Sequence, residues 1–316
     1  MRKTVLTTIT SLAEIDESVV FIGSDLGPGV CDEMRQRHPD RFLMEGISEQ
    51  HLIGFSAGLA LEGYYVYVNT IANFFTRRAF EQISLDLALN NANVCMIANG
   101  GGAVYAPLGP THVATDDIGL MRLVPGTMIL APCDAHQADG LLTQIHREIR
   151  GPKYFRLGKG GDPDFTSKLE LVDFIAPVDM VSINSTRVDF WIVCTGVTVE
   201  LAMNLRGQLM IRGYEVNLTH FPVIKPLDEN KIRLIEHVAQ HIIIIEEHYK
   251  YSGFAMEIIG SVMRGGDKRN LSKIINYGFE TVHFHTYGSQ KEYWEVNGLS
   301  ANQVWLDLVA RGVVDA

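Results

Sequence analysis

The sequence predicts an α/β protein made of two doubly wound domains, each built on a mostly parallel sheet. Two observations predict it. Short runs rich in β-branched and aromatic residues alternate with longer stretches of helical periodicity, which is the pattern of βα units. The stretch from Lys159 to Asn184, entered through GKGGDPDF, carries a further proline at Pro177 and sustains no periodicity, so it separates two such patterns. A length of 316 residues agrees with two domains of about 150 residues each.

In the first pattern the predicted strands are Val19–Ile22, Tyr65–Thr70, Val94–Ala98, Met128–Ala131 and Lys153–Leu157. Helices are predicted at Glu49–Leu61, Ala79–Asn90 and Ala135–Ile149. In the second, smaller pattern the strands are Phe190–Cys194, Glu215–Thr219, His241–Ile245 and Thr281–His285, with helices at Val199–Arg212 and Phe254–Met263. No fixed-period repeat or low-complexity tract occurs, which excludes solenoids and propellers. Open α/β sheets bind ligands beyond the carboxyl ends of their strands, so the loops that follow strands are where chemistry belongs.

Composition narrows the function classes. With 47% hydrophobic and 20% charged residues the chain can bury a substantial core, which excludes disorder as its main state. A net charge of −10 with no Lys/Arg run argues against nucleic acid or an anionic membrane as partner. Cys31, Cys95, Cys133 and Cys194 form no C-x-x-C pair and no metal-like spacing with histidine, as expected in a reducing compartment. The start, MRKTVLTTIT, has no apolar stretch, and the longest aliphatic run, Ile242–Ile245, cannot span a bilayer. The reading is a cytoplasmic, soluble protein.

Each chemistry-bearing motif has a plain structural reading beside its functional one. GSDLGPG at Gly23–Gly29 and NGGG at Asn99–Gly102 lack the G-x-G-x-x-G spacing, and each is either a phosphate cradle or a tight turn needing positive φ. Glu49 heads an amphipathic helix within EGISEQHLIGFSAGLALEG, either as a first-turn acid favoured by the helix dipole or as a catalytic carboxylate. NFFTRRAFEQ sets Phe74 and Phe75 beside Arg77 and Arg78, a core anchor with a solvated charge pair or a binding element. His112 lies in a loop after Pro110, as surface decoration or as a functional base. His283 and His285 form an H-x-H without a third ligand, so no metal is assigned to them. Glu246–His248 reads as polarity at a strand end.

In combination, these motifs resemble the C-terminal half of the transketolase family, which uses thiamin diphosphate. Ser48–Glu49–Gln50–His51 and Ala57–Ala60 match the A-E-Q-H and A-G-L-A segments of the related deoxyxylulose phosphate synthases. Phe75 with Arg78–Gln82 matches an aromatic followed by R-A-[YF]-[DE]-Q. Gly109–His112 matches G-P-T-H, Met121–Pro125 matches L-R-x-x-P, and Ala131–Ala135 matches A-P-x-D-A. The resemblance implies a pyrimidine-binding domain at residues 1–165, a linker at 166–185 and the family's C-terminal domain at 186–316.

The resemblance also implies roles. Glu49 would share a proton with the cofactor's aminopyrimidine, and Phe75 would stack on that ring. Asp25, Leu26 and Arg78 join them as cofactor-binding residues. His112 would act on the substrate's carbonyl or hydroxyl, and Leu108 and Arg156 complete the substrate set, Arg156 aligning with an arginine that grips substrate phosphate. The family's G-D-G motif, which holds the diphosphate through a divalent metal, usually Mg²⁺, is absent. The chain is therefore expected to carry half of each active site, to need a diphosphate-binding N-terminal-type partner subunit, and to dimerise within an α2β2 complex. The expected activity is transfer of a ketol unit from a ketose-type donor, a sugar or sugar phosphate, to an aldehyde acceptor.

Two departures bear on the substrate. Leu108 stands where relatives carry an aspartate that senses an acceptor hydroxyl, and Gly101 stands where the synthases carry arginine. Three alternatives stay open. They are the β chain of a 2-oxo acid dehydrogenase first component, a synthase-like decarboxylating carboligase, and a noncatalytic regulatory or scaffold relative.

Overall fold

The parallel pairing of β1 (Val19–Gly23) with both β2 (Phe42–Met44) and β3 (Tyr65–Ile71) starts the first of two sheets. The computed structural model describes residues 1–24, 31–158, 161–183, 185–265, 267–282 and 287–315. Two compact units emerge, one formed by Met1–Gly101 with Asp117–Ile175 and the other by Gly102–Asp116 with Ala176–Ala316.

In the first unit β4 (Val94–Asn99), β5 (Met128–Leu130) and β6 (Lys153–Leu157) extend the sheet to the order β5-β6-β4-β3-β1-β2, every pairing parallel. β1, β4 and β6 are buried at every position, as a sheet covered on both faces requires. Strand order reverses between β1 and β3, because β2 lies outside β1 while β4 and β6 follow β3. That is a topological switch point, where a crevice opens at the carboxyl ends of the strands.

The helices Arg2–Ile15, Glu49–Leu61 and Ala135–Glu148 belong to this unit. The first has no counterpart among the predicted elements. Its threonines hide a helical stripe of buried Val5, Leu6, Ile9, Leu12 and Ala13. The predicted helix Ala79–Asn90 is replaced by π-helical turns at Phe74–Arg78 and Ile83–Ala88 flanking a short α-helical turn, Phe80–Gln82.

Lys153, the first residue of β6, is fully buried. Its Nζ donates to Asn93 Oδ1 and Gly151 O, both at 2.8 Å, and lies 4.7 Å from the centre of the Tyr65 ring. Burial away from water pushes its ammonium down from 10.5 to about 8.

The second unit holds β7 (Val178–Val181), β8 (Val188–Cys194), β9 (Val216–His220), β10 (Val223–Lys225), β11 (Ala239–Tyr249) and β12 (Ile274–Phe279). Five of these form a sheet in the order β12-β11-β8-β9-β7, parallel except for the antiparallel β7–β9 pair. β7 lies inside the stretch read as linker. Of the strand expected at Thr281–His285, only the first two residues are described. β12 ends at Phe279, Thr281 and Val282 form a bend, and the H-x-H residues lie outside the described residues. Among the described residues no helix is long and apolar enough to cross a membrane.

Candidate active site

At the switch point, the sequence places polar residues where apolar strands end. β3 runs YVYVNTI with Asn69 and Thr70 just before its last residue, Ile71, β4 runs VCMIAN and closes with Asn99, and Ser24 follows β1. Ser24 Oγ donates to Thr70 Oγ1 at 2.8 Å, and Thr70 Oγ1 lies 3.4 Å from Glu49 Oε1. Asn99 Nδ2 donates to Asn69 Oδ1 at 3.1 Å, and Asn69 Nδ2 donates to Ile97 O at 3.0 Å. These links tie the ends of β1, β3 and β4 together, and the one through Thr70 reaches the Glu49 carboxylate.

Glu49 is the first residue of its helix and is 1% exposed. The positive end of the helix dipole favours a carboxylate there. Arg78 Nη1 sits 2.6 Å from Glu49 Oε2, a charge-assisted contact, while the Arg78 guanidinium stacks 4.3 Å over the Phe74 ring. The π-helical turn that carries Phe74, Phe75 and Arg78 widens the helix by one residue. Such turns recur at functional sites. It buries Phe75 completely and leaves Arg78 half exposed. The structure thus brings Glu49 and Arg78 together and sets Phe75 in the same turn as Arg78. Asp25 and Leu26 lie outside the described residues.

Arg156 and Gly101 form a second group. Arg156 is 5% exposed, with Nε 2.7 Å and Nη2 3.3 Å from the two carboxylate oxygens of Asp117, and Tyr154 Oη donates to the same carboxylate at 3.0 Å. A Cβ at position 101 would overlap the Arg156 side chain. A side chain at 101 could be accommodated only if the Arg156 side chain moved.

His112 and Leu108 belong to the Gly102–Asp116 segment of the second unit. Leu108 ends a short 3₁₀ turn, Ala106–Leu108, and is 50% exposed. Gly109 follows with φ +80°, a left-handed conformation suited to glycine, and its carbonyl accepts the His112 backbone N–H at 3.0 Å. His112 is half-buried, with Nδ1 2.9 Å from Thr111 Oγ1.

The first unit fits an aminopyrimidine. It offers a buried carboxylate, a buried aromatic ring, and two buried oxygens, Thr76 Oγ1 and Asn99 Oδ1, with no hydrogen-bond partner among the described residues. Buried polar atoms are normally satisfied, so orphans in this neighbourhood suit a ligand that supplies donors. Among the described residues no group of three or more His, Cys, Asp or Glu side chains is placed to hold a metal ion. Sequence reasoning missed Asn69 and Thr70, although the signal was there in polar residues interrupting an apolar strand, and it singled out the loops that hold Ser24 and Asn99 only as glycine turns or phosphate cradles.

Residues 1–161 match the family of transketolase pyrimidine-binding domains, and residues 180–295 match that of transketolase C-terminal domains. The chain belongs to the transketolase family. Among its transketolase relatives is one of the subunits of the apulose-4-phosphate transketolase of Phocaeicola vulgatus, 32% identical over 259 residues, which are 82% of each chain. The 1-deoxy-D-xylulose-5-phosphate synthase of Paenarthrobacter aurescens is 29% identical over 96% of this chain, which spans only 45% of that enzyme. The fold matches a split gene transketolase solved as an inactive beta4 tetramer, with TM-score 0.84, 24% identity, and coverage of 99% of this chain and 97% of that one. The two matches together place the pyrimidine-binding and C-terminal domains of the transketolase family on this one chain.

Proposed function

We propose that this chain forms half of a thiamin-diphosphate-dependent active site that transfers a ketol unit from a ketose-type donor, free or phosphorylated, to an aldehyde acceptor. The observation that carries the reading is the buried Glu49 carboxylate at the β1/β3 switch point, with Arg78 and Phe75 on the adjoining π-helical turn. The pyrimidine-binding part is assigned to residues 1–165 and the C-terminal part to 186–316, with the segment between them holding β7 as well as linker. A transketolase subunit of similar length among the relatives supports assigning Mg²⁺ and the diphosphate to a partner subunit within an α2β2 complex, which we place in the cytoplasm.

When bound, thiamin diphosphate supplies the electron sink for breaking and making the carbon–carbon bond. Glu49 holds a proton at the pyrimidine N1′, shielded from water by its burial. Phe75 offers a ring face to the pyrimidine, and Arg78 fixes the carboxylate. Asp25 and Leu26 are assigned to the thiazolium side. His112 hydrogen-bonds the substrate carbonyl or hydroxyl, Leu108 meets the acceptor as an apolar surface, and Arg156 remains the candidate for a substrate phosphate, its guanidinium oriented by Asp117.

Titration of thiamin diphosphate with Mg²⁺ into the isolated chain and into the complex purified from its native source tests the half-site reading. Binding is expected only in the complex. Glu49→Gln in that complex is expected to retain binding and lower turnover by about 10²–10⁴-fold. Equal turnover by wild type and variant would refute the role of Glu49 and favour a noncatalytic relative.

A further inference from the structure

Within the second unit, the segment that carries Leu108 and His112 is a closed loop with identifiable fastenings. Gly102 and Ala114 exchange two backbone hydrogen bonds, 3.0 Å and 2.8 Å, as an antiparallel bridge that pinches the loop at its base. Just inside the pinch, the Ala103 N–H donates to Glu247 Oε1 at 2.9 Å. Just outside it, the Tyr249 N–H donates to Thr115 O at 2.9 Å. Glu247 and Tyr249 both come from the carboxyl end of β11, so one strand end holds both stems of the loop.

Glu247 is 1% exposed, and its Oε1 also accepts from Trp294 Nε1 and Gln290 Nε2, each at 2.7 Å. Both donors lie on the helix Gln290–Val296, whose start is fixed by a capping box between Ser289 and Glu292. Two residues before that cap, the Tyr287 ring packs where a Cβ on Gly109 would stand. The helix and the residues leading into it therefore meet the loop twice, the helix through Glu247 at the loop's base and Tyr287 at the G-P-T-H turn. Gly102 fits the same account. Its φ of +69° favours glycine, and a Cβ there would fall on the Glu247 carboxyl group.

We propose that Glu247 is the positioning residue for His112: its carboxylate gathers donors from the loop and from the Gln290–Val296 helix and thereby sets where the histidine is presented. A buried carboxylate can accept several hydrogen bonds at once, which no apolar residue of similar size could do. The strand-end polarity of Glu246–His248 is thus functional at its middle residue. The part of this inference that concerns catalysis rests on the role given to His112 above.

The test has two readouts. In the isolated full chain labelled in its histidine rings, the His112 signal, assigned by its loss in His112→Asn, is expected to shift and broaden in Glu247→Ala. In Glu247→Gln, which keeps a carbonyl acceptor, it should lie close to wild type. The ring signal of His146, in the first unit, should stay in place and serves as the check on folding. In the assembled complex Glu247→Ala is expected to lower kcat by about 10- to 100-fold with unchanged affinity for thiamin diphosphate, and Glu247→Gln to recover most of it. A His112 signal that superimposes on wild type in Glu247→Ala would overturn the proposal, as would Glu247→Gln behaving like Glu247→Ala. If Glu247→Ala does not fold, Trp294→Phe, which removes one donor from the carboxylate, is expected to shift the same signal by less, and no shift would again overturn it. If the wild-type complex transfers no ketol unit, the proposed activity fails while the ring signals still decide whether Glu247 positions His112.

Discussion

Replacing Lys153 by Met should change the pH dependence of stability by an amount that follows from the burial of one ammonium. In the folded chain, loss of hydration holds Lys153 at about 8 against 10.5 for an ordinary lysine. Below pH 8 both folded and unfolded chains carry the proton, so the folded state bears the full cost of a buried charge. Between 8 and 10.5 the unfolded chain binds more protons than the folded one, so this group's contribution to stability rises with pH. Integrating that difference from pH 7 to pH 10 gives about 2.5 kcal/mol, at about 1.4 kcal/mol per pH unit where the slope is steepest.

Lys153→Met keeps the length of the stem and removes the titration. The lost hydrogen bonds to Asn93 and Gly151 shift the variant at all pH values and drop out of the comparison. Urea unfolding of both proteins at pH 7 and pH 10, followed by circular dichroism, measures it. The stability of wild type relative to the variant should improve by about 2.5 kcal/mol from the lower to the higher pH. A difference that stays constant within roughly 0.5 kcal/mol would refute the reasoning, because it would mean that Lys153 titrates alike in both states.

Two further predictions concern the candidate site. Asp117→Ala strands the buried Arg156 guanidinium and should cost roughly 3–5 kcal/mol in urea unfolding, and adding Arg156→Met should restore part of it; a loss below about 1 kcal/mol would show that Asp117 does not hold the arginine. Leu108→Asp places a carboxylate on a half-exposed turn and should leave stability within about 0.5 kcal/mol, while conferring turnover of ribose 5-phosphate as acceptor on the assembled complex. Equal use of that acceptor by the unmutated complex would refute the role given to Leu108.

The strands most legible in the sequence are those buried at nearly every position. Lys153–Leu157 is legible residue for residue, since a short run led by a lysine and holding an arginine still reads as a strand when its neighbours are Tyr, Phe and Leu. β2, three residues long, offers no period to detect, and β12 carries an asparagine and a glycine that dilute its apolar signal. The π-helical turns are illegible because a spacing of 3.6 residues fits α-helix and hides one inserted residue. Glu49, Phe75 and Arg78 can be named from motifs, but the approach of Arg78 to Glu49 cannot, since it joins residues 29 positions apart through a turn that periodicity misassigns. The grip of Glu247 on Ala103, across 144 positions, has no local signature at all.

The second unit takes in Gly102–Asp116 as well as everything after Ile175, so the border between the units is crossed more than once along the chain. Modularity in the gene and modularity in the protein consequently differ. A fragment cut in the apparent linker and expressed from Ala176 onward would inherit Glu247, Tyr249 and the Gln290–Val296 helix without the loop they are built to hold. It would expose the Tyr249 N–H and a carboxylate that had lost Ala103. Recombination between family members at that linker would pair one parent's loop with the other's fastenings. Chimeras are expected to tolerate the junction only when residues 102–116 travel with the C-terminal part.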